Sequence, residues 1–423
     1  MIGLITAITI VSLVIPVYVY LGYPLMLFLV LKSTKGKDVD KSSITPTVSM
    51  IVSCYNEQEI IEHKIRNCIA IDYPDNKLDF IFVSDGSEDR TDSIIREFSN
   101  EHIKLIRQEG RLGKTMGINL AISQARGEIV VFSDANAMYQ KEAIRMLVRN
   151  FNDLKVGYVV GAALYRDDTE SFSGVSENSY WEYEIFLKKI ESKLHSVVGG
   201  DGAIYAIRKQ LYRRLDQEDI NDFVNPLQII SKGFRGVFEE EAVCYEQTAG
   251  SFEKEAKRKQ RIVNRSFTGL LKNKTVLNPF KFGFFSLQLL SHKLLRWLVP
   301  FFIIIAILGI FVLAQVKIFA FQILLLLGIV FAWSVMLGGL LKGGSNVPSI
   351  LLYPYYFYLV NINSLRGVLQ SLSGKVEVTW STARQNDDTR TSDRFWLISG
   401  YVFLFLASII IFTSTLISVI QIL

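Results

Sequence analysis

Residues 127–136 read Gly127-Glu128-Ile129-Val130-Val131-Phe132-Ser133-Asp134-Ala135-Asn136. An unbroken apolar run ends in an acid, a small residue and an amide. Such a run is the pattern of a strand covered on both faces in a parallel sheet. Ligands of these sheets bind beyond the carboxyl ends of the strands, which is where Asp134 and Asn136 fall. Two side-chain oxygens on alternate positions suit a hard divalent cation and the phosphates it neutralises. A turn acid capping the following helix would show the same residues.

Three further stretches place chemistry at comparable points. Tyr55 and Glu57 follow a strand-like run in Ser53-Cys54-Tyr55-Asn56-Glu57. The ring can stack on a base and the carboxylate sits at a helix start; a packed tyrosine and a helix-start acid are the plainer alternative. In Ser84-Asp85-Gly86-Ser87, Gly86 allows a tight turn and leaves Asp85 as an acceptor for a base N–H or a ribose hydroxyl. An ordinary Asp-Gly turn fits too. Arg111-Leu112-Gly113-Lys114-Thr115 resembles half a phosphate loop, but the upstream glycine is missing, which excludes a P-loop nucleotidase. Lys114 at a helix start can still meet a diphosphate, or can be a solvated surface lysine.

Positioning these residues requires alternating strands and helices. Apolar runs at 48–54, 78–84, 103–107, 129–133, 158–163 and 203–207 predict strands. Segments 57–70, 90–97, 114–124 and 141–150 predict helices between most of them. The alternation predicts an α/β domain over residues 45–250 with a mostly parallel sheet.

Composition adds a membrane. The chain has 423 residues, 50% hydrophobic and 21% charged, with a mean hydropathy of +0.27. This suits one soluble domain joined to spanning helices. Residues 1–32 are long and apolar enough for an N-terminal span, and Lys32, Lys35, Lys37 and Lys41 follow directly. By the positive-inside rule the soluble domain is cytoplasmic, in an integral protein of the plasma (inner) membrane. The net charge of +5 then reflects cytoplasmic-side cations, and no nucleic-acid partner is expected. Residues 251–297 read as amphipathic helices on the lipid surface. Residues 298–423 read as a transmembrane region with spans at 298–316, 319–341 and 395–423. Within it, 347–372 is apolar but carries Pro348, Pro354, Asn361, Asn363 and Arg366. An interfacial or re-entrant helix there keeps the following cations in the cytoplasm. Cys54, Cys68 and Cys244 lack metal-type spacing and four scattered histidines offer no zinc site, so reduced, buried thiols are expected.

Taken together, Tyr55-Asn56-Glu57, Asp85-Gly86-Ser87, Gly113-Lys114 and Asp134-Ala135-Asn136, in this order and spacing, resemble family 2 glycosyltransferases of GT-A fold. The layout is similar to that of the membrane-embedded hyaluronan, chitin and cellulose synthases. The resemblance implies a Rossmann-like α/β cytoplasmic domain and an α-helical transmembrane region. It implies that Tyr55 and Asp85 hold the uracil of a UDP-sugar, with Glu57 nearby and Lys114 beside the nucleotide. Asp134 and Asn136 match the Asp-x-Asp motif that binds Mg2+ or Mn2+ with the diphosphate; here an uncharged amide replaces the second acid. Gly200 and Asp201, in Gly199-Gly200-Asp201-Gly202-Ala203, match the segment beneath the acceptor sugar. Asn221-Asp222 matches the motif of the general base and assigns that role to Asp222, with Asp219 as a rival. Arg258-Lys259-Gln260-Arg261 stands where processive members carry Gln-x-x-Arg-Trp, with Arg258 and Ile262 replacing the Gln and the Trp. Arg261 would pair with the leaving diphosphate. Residues 375–384, with Trp380, resemble the loop that closes over the nucleotide in cellulose synthase.

The expectation is an inverting, metal-dependent glycosyltransferase that extends a polysaccharide and is coupled to its export. Its partners are a UDP-sugar, a glycan or lipid-linked acceptor and membrane lipid. A second copy or an accessory subunit would complete a channel. Transfer of a single sugar to a lipid-linked acceptor is the alternative within enzymes. A transporter or sensor with a non-catalytic nucleotide domain is the alternative outside them.

Overall fold

The computed structural model describes residues 1–166, 172–247, 252–341 and 349–379. Trp380 and the apolar stretch 395–423 lie outside the described residues. The chain divides into two compact units.

The first unit holds residues 23–294 and 367–379 and is built on one sheet. Its strands are β1 (Val48–Cys54), β2 (Leu78–Ser84), β3 (Ile103–Arg107), β4 (Ile129–Asp134), β5 (Met138–Tyr139), β6 (Val156–Arg166), β7 (Tyr205–Arg208) and β8 (Arg235–Gln247). They lie in the order β3-β2-β1-β4-β7-β6-β8-β5. The four strands from β3 to β4 are parallel, and β7 runs antiparallel to β4 and to β6. Every residue of β1 is buried, which explains its continuous apolar reading. Register decides what the carboxyl ends bring together: Cys54 lies beside Ser84, and Ser53 beside Asp134. Tyr55, Asp85 and Asp134 therefore leave three adjacent strands at one level.

The unit's helices are α2 (Tyr23–Ser33), α3 (Ile61–Ile69), α4 (Thr91–Glu97), α5 (Lys114–Gln124), α6 (Ala143–Val148), α7 (Phe172–Leu194), α8 (Asn221–Ser231), α9 (Phe252–Lys272), α10 (Pro279–Phe282) and α11 (Phe284–Leu289). The second unit contains α1 (Ile2–Val17), α12 (Leu295–Gln315), α13 (Phe319–Leu341) and most of α14 (Ser349–Leu372). The expected strands at 48–54, 78–84 and 103–107 and the helix at 114–124 form with those bounds. The helix expected at 57–70 starts only at Ile61, because Asn56 takes a left-handed conformation (φ 51°) and the next residues form a turn. Strand β8 has no counterpart among the predicted strands; Glu239-Glu240-Glu241 puts three acids in its middle. Glu239 is nevertheless buried, and it accepts from Arg149, Lys41 and Asn150.

Among the described residues, three helices are long and apolar enough to cross a membrane: Ile2–Ser33, Phe284–Gln315 and Phe319–Leu341. The fourth expected span lies outside the described residues, and α14 is not among the three. Residues 279–297 do not form one amphipathic helix. A short turn of helix precedes a longer helix that passes through a π-turn at Leu290–Leu294 into α12. The extra residue of that turn directs His292 inward. Its Nδ1 lies 2.7 Å from Glu191 Oε1 and its Nε2 3.1 Å from Glu184 Oε2, while the Tyr23 hydroxyl donates to Glu191 at 2.5 Å. All four are buried. His292→Phe should remove one hydrogen-bond partner from each carboxylate, leaving Glu184 with Lys293 and Glu191 with Tyr23 and Val198, and cost about 1–3 kcal/mol. A thermal melt of the detergent-solubilised protein would show it; an unchanged transition would refute it.

Candidate active site

The first group of residues gathers around Asp85. Gly86 makes the turn after β2 (φ 70°), and a methyl there would lie 2.8 Å from the Gly110 carbonyl oxygen. This close approach folds residues 110–113 over Asp85. Asp85 Oδ1 accepts from the backbone amides of Leu112 and Gly113, both at 2.9 Å, and from Gln108 Nε2 at 2.8 Å. Its Oδ2 is buried and accepts nothing among the described residues. Burial raises the carboxyl pKa; the two amides and Arg111 oppose the rise. The Arg111 guanidinium stacks 3.8 Å from the centroid of the Tyr55 ring. Glu57 is half-buried beside this pocket, and its amide donates to Thr91 Oγ1 at 2.8 Å.

The second group forms where α5 starts. Gly113 (φ 91°) precedes Lys114, whose ammonium pairs with Asp134 at the end of β4 and reaches the Gly202 carbonyl at 3.4 Å. Gly202 has no side chain to fill the space above it. A methyl placed there would lie 3.2 Å from Asp222 Oδ2, 3.4 Å from Lys114 Nζ and 3.6 Å from Asp134 Oδ2. Three charged groups from three separate elements thus converge on one spot. Asp222 belongs to the first turn of α8. Burial raises its pKa, with Asp201 and Asp134 adding to the rise and Lys114 and Arg265 opposing it. The start of α8 is fixed by the Tyr205 hydroxyl, which accepts from Asn221 at 2.8 Å and Asn225 at 3.0 Å. The Tyr205 ring stacks on Phe132 of β4, with centroids 4.6 Å apart. Gly200 donates its amide to the Asp222 carbonyl at 2.5 Å.

Residues 49–216 match the family described as Glycosyl transferase family 2. They are a family 2 glycosyltransferase domain. Among curated relatives, a probable glycosyltransferase of Bacillus subtilis, YdaM, is 25% identical over 224 residues, which is 48% of this chain and 51% of that protein. The poly-β-1,6-N-acetyl-D-glucosamine synthase of Staphylococcus epidermidis is 24% identical over 204 residues, 47% of this chain and 49% of that one. Its Staphylococcus aureus counterpart is 26% identical over 205 residues, with the same coverage. The chain spans about half the length of these relatives. A solved mannosyltransferase of Pyrobaculum calidifontis, PcManGT, in complex with GDP-Man and Mn2+, is similar over 87% of this chain and 99% of its own. The TM-score is 0.64 at 22% identity, a likeness that shows the fold. The family 2 domain is of GT-A type, as expected.

Several site residues lie beyond the matched stretch of the family 2 domain or turn away from its centre. Asp201 is committed to Lys188 of α7 at 3.0 Å, both side chains being nine-tenths buried. Asp219 faces the other way from Asp222: it accepts from the Asp216 amide at 2.9 Å and lies 3.6 Å from Lys272 Nζ. Arg258 and Lys259 lie 3.6 and 3.5 Å from Glu255 on their own helix. Arg261 makes no hydrogen bond or ion pair among the described residues. Burial pulls its pKa down to about 10, helped by Arg265 and Arg258 and opposed by Asp134 and Glu377.

Sequence reasoning missed Arg265, one turn further along α9. Its guanidinium donates to the carbonyls of Gln217 and Glu218 at 3.1 Å each, to that of Asp219, and to Thr115 Oγ1 at 3.0 Å. It clamps the loop that leads into Asp222 against the residue after Lys114. Its spacing of four from Arg261 puts both on one helix face, which was the signal available. Residues 375–379 also reach the site. Asn264 accepts from the Glu377 amide at 3.2 Å, and a methyl at Gly113 would lie 2.6 Å from the Val378 carbonyl oxygen.

Asn136 is half-buried, two residues beyond Asp134. No group of three or more His, Cys, Asp or Glu among the described residues could hold a metal alone. The pair Asp134 and Asn136 offers two hard oxygens. That suits a cation completed by substrate phosphates and water rather than an all-protein cage.

Proposed function

We propose that this protein transfers a sugar, with inversion, from a UDP-sugar to a glycan at the cytoplasmic face of a membrane. The convergence of Asp222, Lys114 and Asp134 on the bare face of Gly202 carries the reading. A base, a cation and a phosphate-side acid then surround one point, as in-line displacement at an anomeric carbon requires. Asp222 takes the proton of the acceptor hydroxyl. The freed oxygen forms the new bond to the anomeric carbon as the bond to the diphosphate breaks. Lys114 and Arg261 meet the charge that develops on the departing UDP. Asp134 and Asn136 would hold Mg2+ or Mn2+, which when bound supplies Lewis-acid charge to the diphosphate.

Uridine is favoured over guanosine by Asp85. One of its oxygens is used by three donors, leaving a single free acceptor. Uracil presents one N–H on its pairing edge, whereas guanine presents neighbouring donors that call for both oxygens. Asp85→Asn keeps an acceptor for the 112–113 amides but turns a donor toward the base. UDP affinity should fall about 10–100-fold, while CDP, whose base has an acceptor at that position, should gain relative to UDP. Calorimetric titration with both nucleotides tests this; an unchanged ratio would contradict it.

The names of the staphylococcal relatives support extension of a polysaccharide. Ile262 in place of a stacking tryptophan supports single-sugar transfer as the second reading. Purified protein with Mn2+ and a panel of UDP- and GDP-sugars should release UDP. A ladder of products means processive synthesis, and one added sugar means the second reading. Turnover of GDP-sugars alone, or of none, would reject the proposal.

A further inference from the structure

A lysine that takes no part in this chemistry lies beneath the turn at Asp134. Lys64, on α3, is fully buried. Its ammonium donates to Ser133 Oγ at 2.9 Å and to the Ala137 carbonyl, and it lies 4.5 Å from the centroid of the Tyr139 ring. Ser133 and Ala137 are the residues on either side of Asp134-Ala135-Asn136, so one cation ties both ends of the turn. Ser133 Oγ in turn bonds the Asp134 carbonyl at 3.1 Å. One turn further along α3, Asn67 exchanges two hydrogen bonds with the Tyr139 backbone, both at 2.8 Å. The Tyr139 hydroxyl donates to the Ala203 carbonyl at 2.9 Å, next to Gly202. The turn and the segment over which Asp222, Lys114 and Asp134 meet are thus braced from one helix.

Removing an ammonium from water is costly, and no carboxylate lies within ion-pair distance of Lys64 among the described residues. Its surroundings, with Ile65, Cys68, Ala135, Ala137 and Tyr139, belong to the apolar core. An apolar side chain of equal length would avoid the cost there. It would not hold the two ends of the turn at a set spacing.

We propose that Lys64 is a positioning residue for the metal-binding turn, presetting the spacing of the Asp134 carboxylate and the Asn136 amide oxygen. The need is sharper here because Asn136 brings no charge to attract the cation. The inference rests on the reading of Asp134 and Asn136 as metal ligands.

The test uses the full chain in detergent, with Mn2+ binding in the presence of UDP followed by electron paramagnetic resonance. UDP affinity is measured with and without Mn2+ by calorimetry. Lys64→Met should weaken Mn2+ binding about 10–100-fold, as loss of outer-shell support does elsewhere. Metal-free UDP affinity, set by Asp85 and Tyr55, should stay within about threefold, since a positioning role acts through the metal alone. Ser133→Ala, which removes one of the two bonds and leaves the lysine in place, should move Mn2+ binding the same way by a smaller factor and serves if Lys64→Met fails to fold. Wild-type Mn2+ binding in either variant would overturn the role of Lys64. Absence of Mn2+-dependent UDP binding in the wild type would overturn the metal reading itself.

Discussion

Asp222→Asn should lower sugar transfer by about 10²–10⁴-fold, the usual contribution of a general base, while UDP affinity changes less than about twofold, because a base acts on the acceptor and not on the bound nucleotide. Asparagine matches the size of aspartate, and the contact from the Gly200 amide is to the Asp222 backbone, so the loop should survive. What is lost is a proton acceptor beside Gly202. The pH profile gives an independent check. The carboxylate must be ionised to work, and burial with Asp201 and Asp134 nearby raises its pKa. Turnover of the wild type should therefore be full at higher pH and should fall on acidification through a value above the ordinary aspartate range of about 3.9. The residual activity of the variant should lack that acid limb. Asp219→Asn should leave turnover nearly intact, since Asp219 is turned toward Lys272. Normal turnover by Asp222→Asn would move the base elsewhere.

Arg261→Ala should lower kcat by about 10²–10³-fold, comparable to deleting one donor that stabilises a developing anion. A guanidinium with no hydrogen bond or ion pair among the described residues, desolvated enough for its pKa to drop to about 10, is still fully charged at neutral pH. It is poised for an anion that arrives with the substrate. The charge on the diphosphate grows as the sugar leaves, so the loss should appear in kcat more than in donor binding. Lysine at 261 should recover only part of the activity, because it lacks the planar fork that matches a phosphate. Arg258→Ala, which breaks a contact with Glu255 on the same helix, should stay near wild type. Equal losses for the two arginines, measured as kcat against UDP inhibition, would remove Arg261 from the site.

Much of the fold was legible because its signals are local. A strand buried on both faces is a run of mostly apolar residues; β1, buried throughout, and β2, buried except at Asp79, show this. Strand β8 escaped because its acids are neutralised by residues far away in the chain; Glu239 meets Arg149 and Lys41 only after folding. The helix expected at 57–70 overran because one left-handed residue, Asn56, cannot be read from a pattern of polarity.

The site divides in the same way. The sequence by itself determined that acids end strands at Asp85 and Asp134, that Lys114 opens a helix, and that long apolar stretches accompany this domain. Those features depend on residue type and short spacing. Only the tertiary structure decided that Asp222 and not Asp219 faces Lys114 and Asp134, and that Asp201 is taken up by Lys188. The same holds for Arg265 clamping the loop before Asp222 and for a lysine bracing the turn from beneath. Each depends on which charges are buried together. Partners such as Lys64 and Ser133, 69 residues apart, or Arg265 and Thr115, 150 apart, meet only once the sheet register has brought their elements side by side.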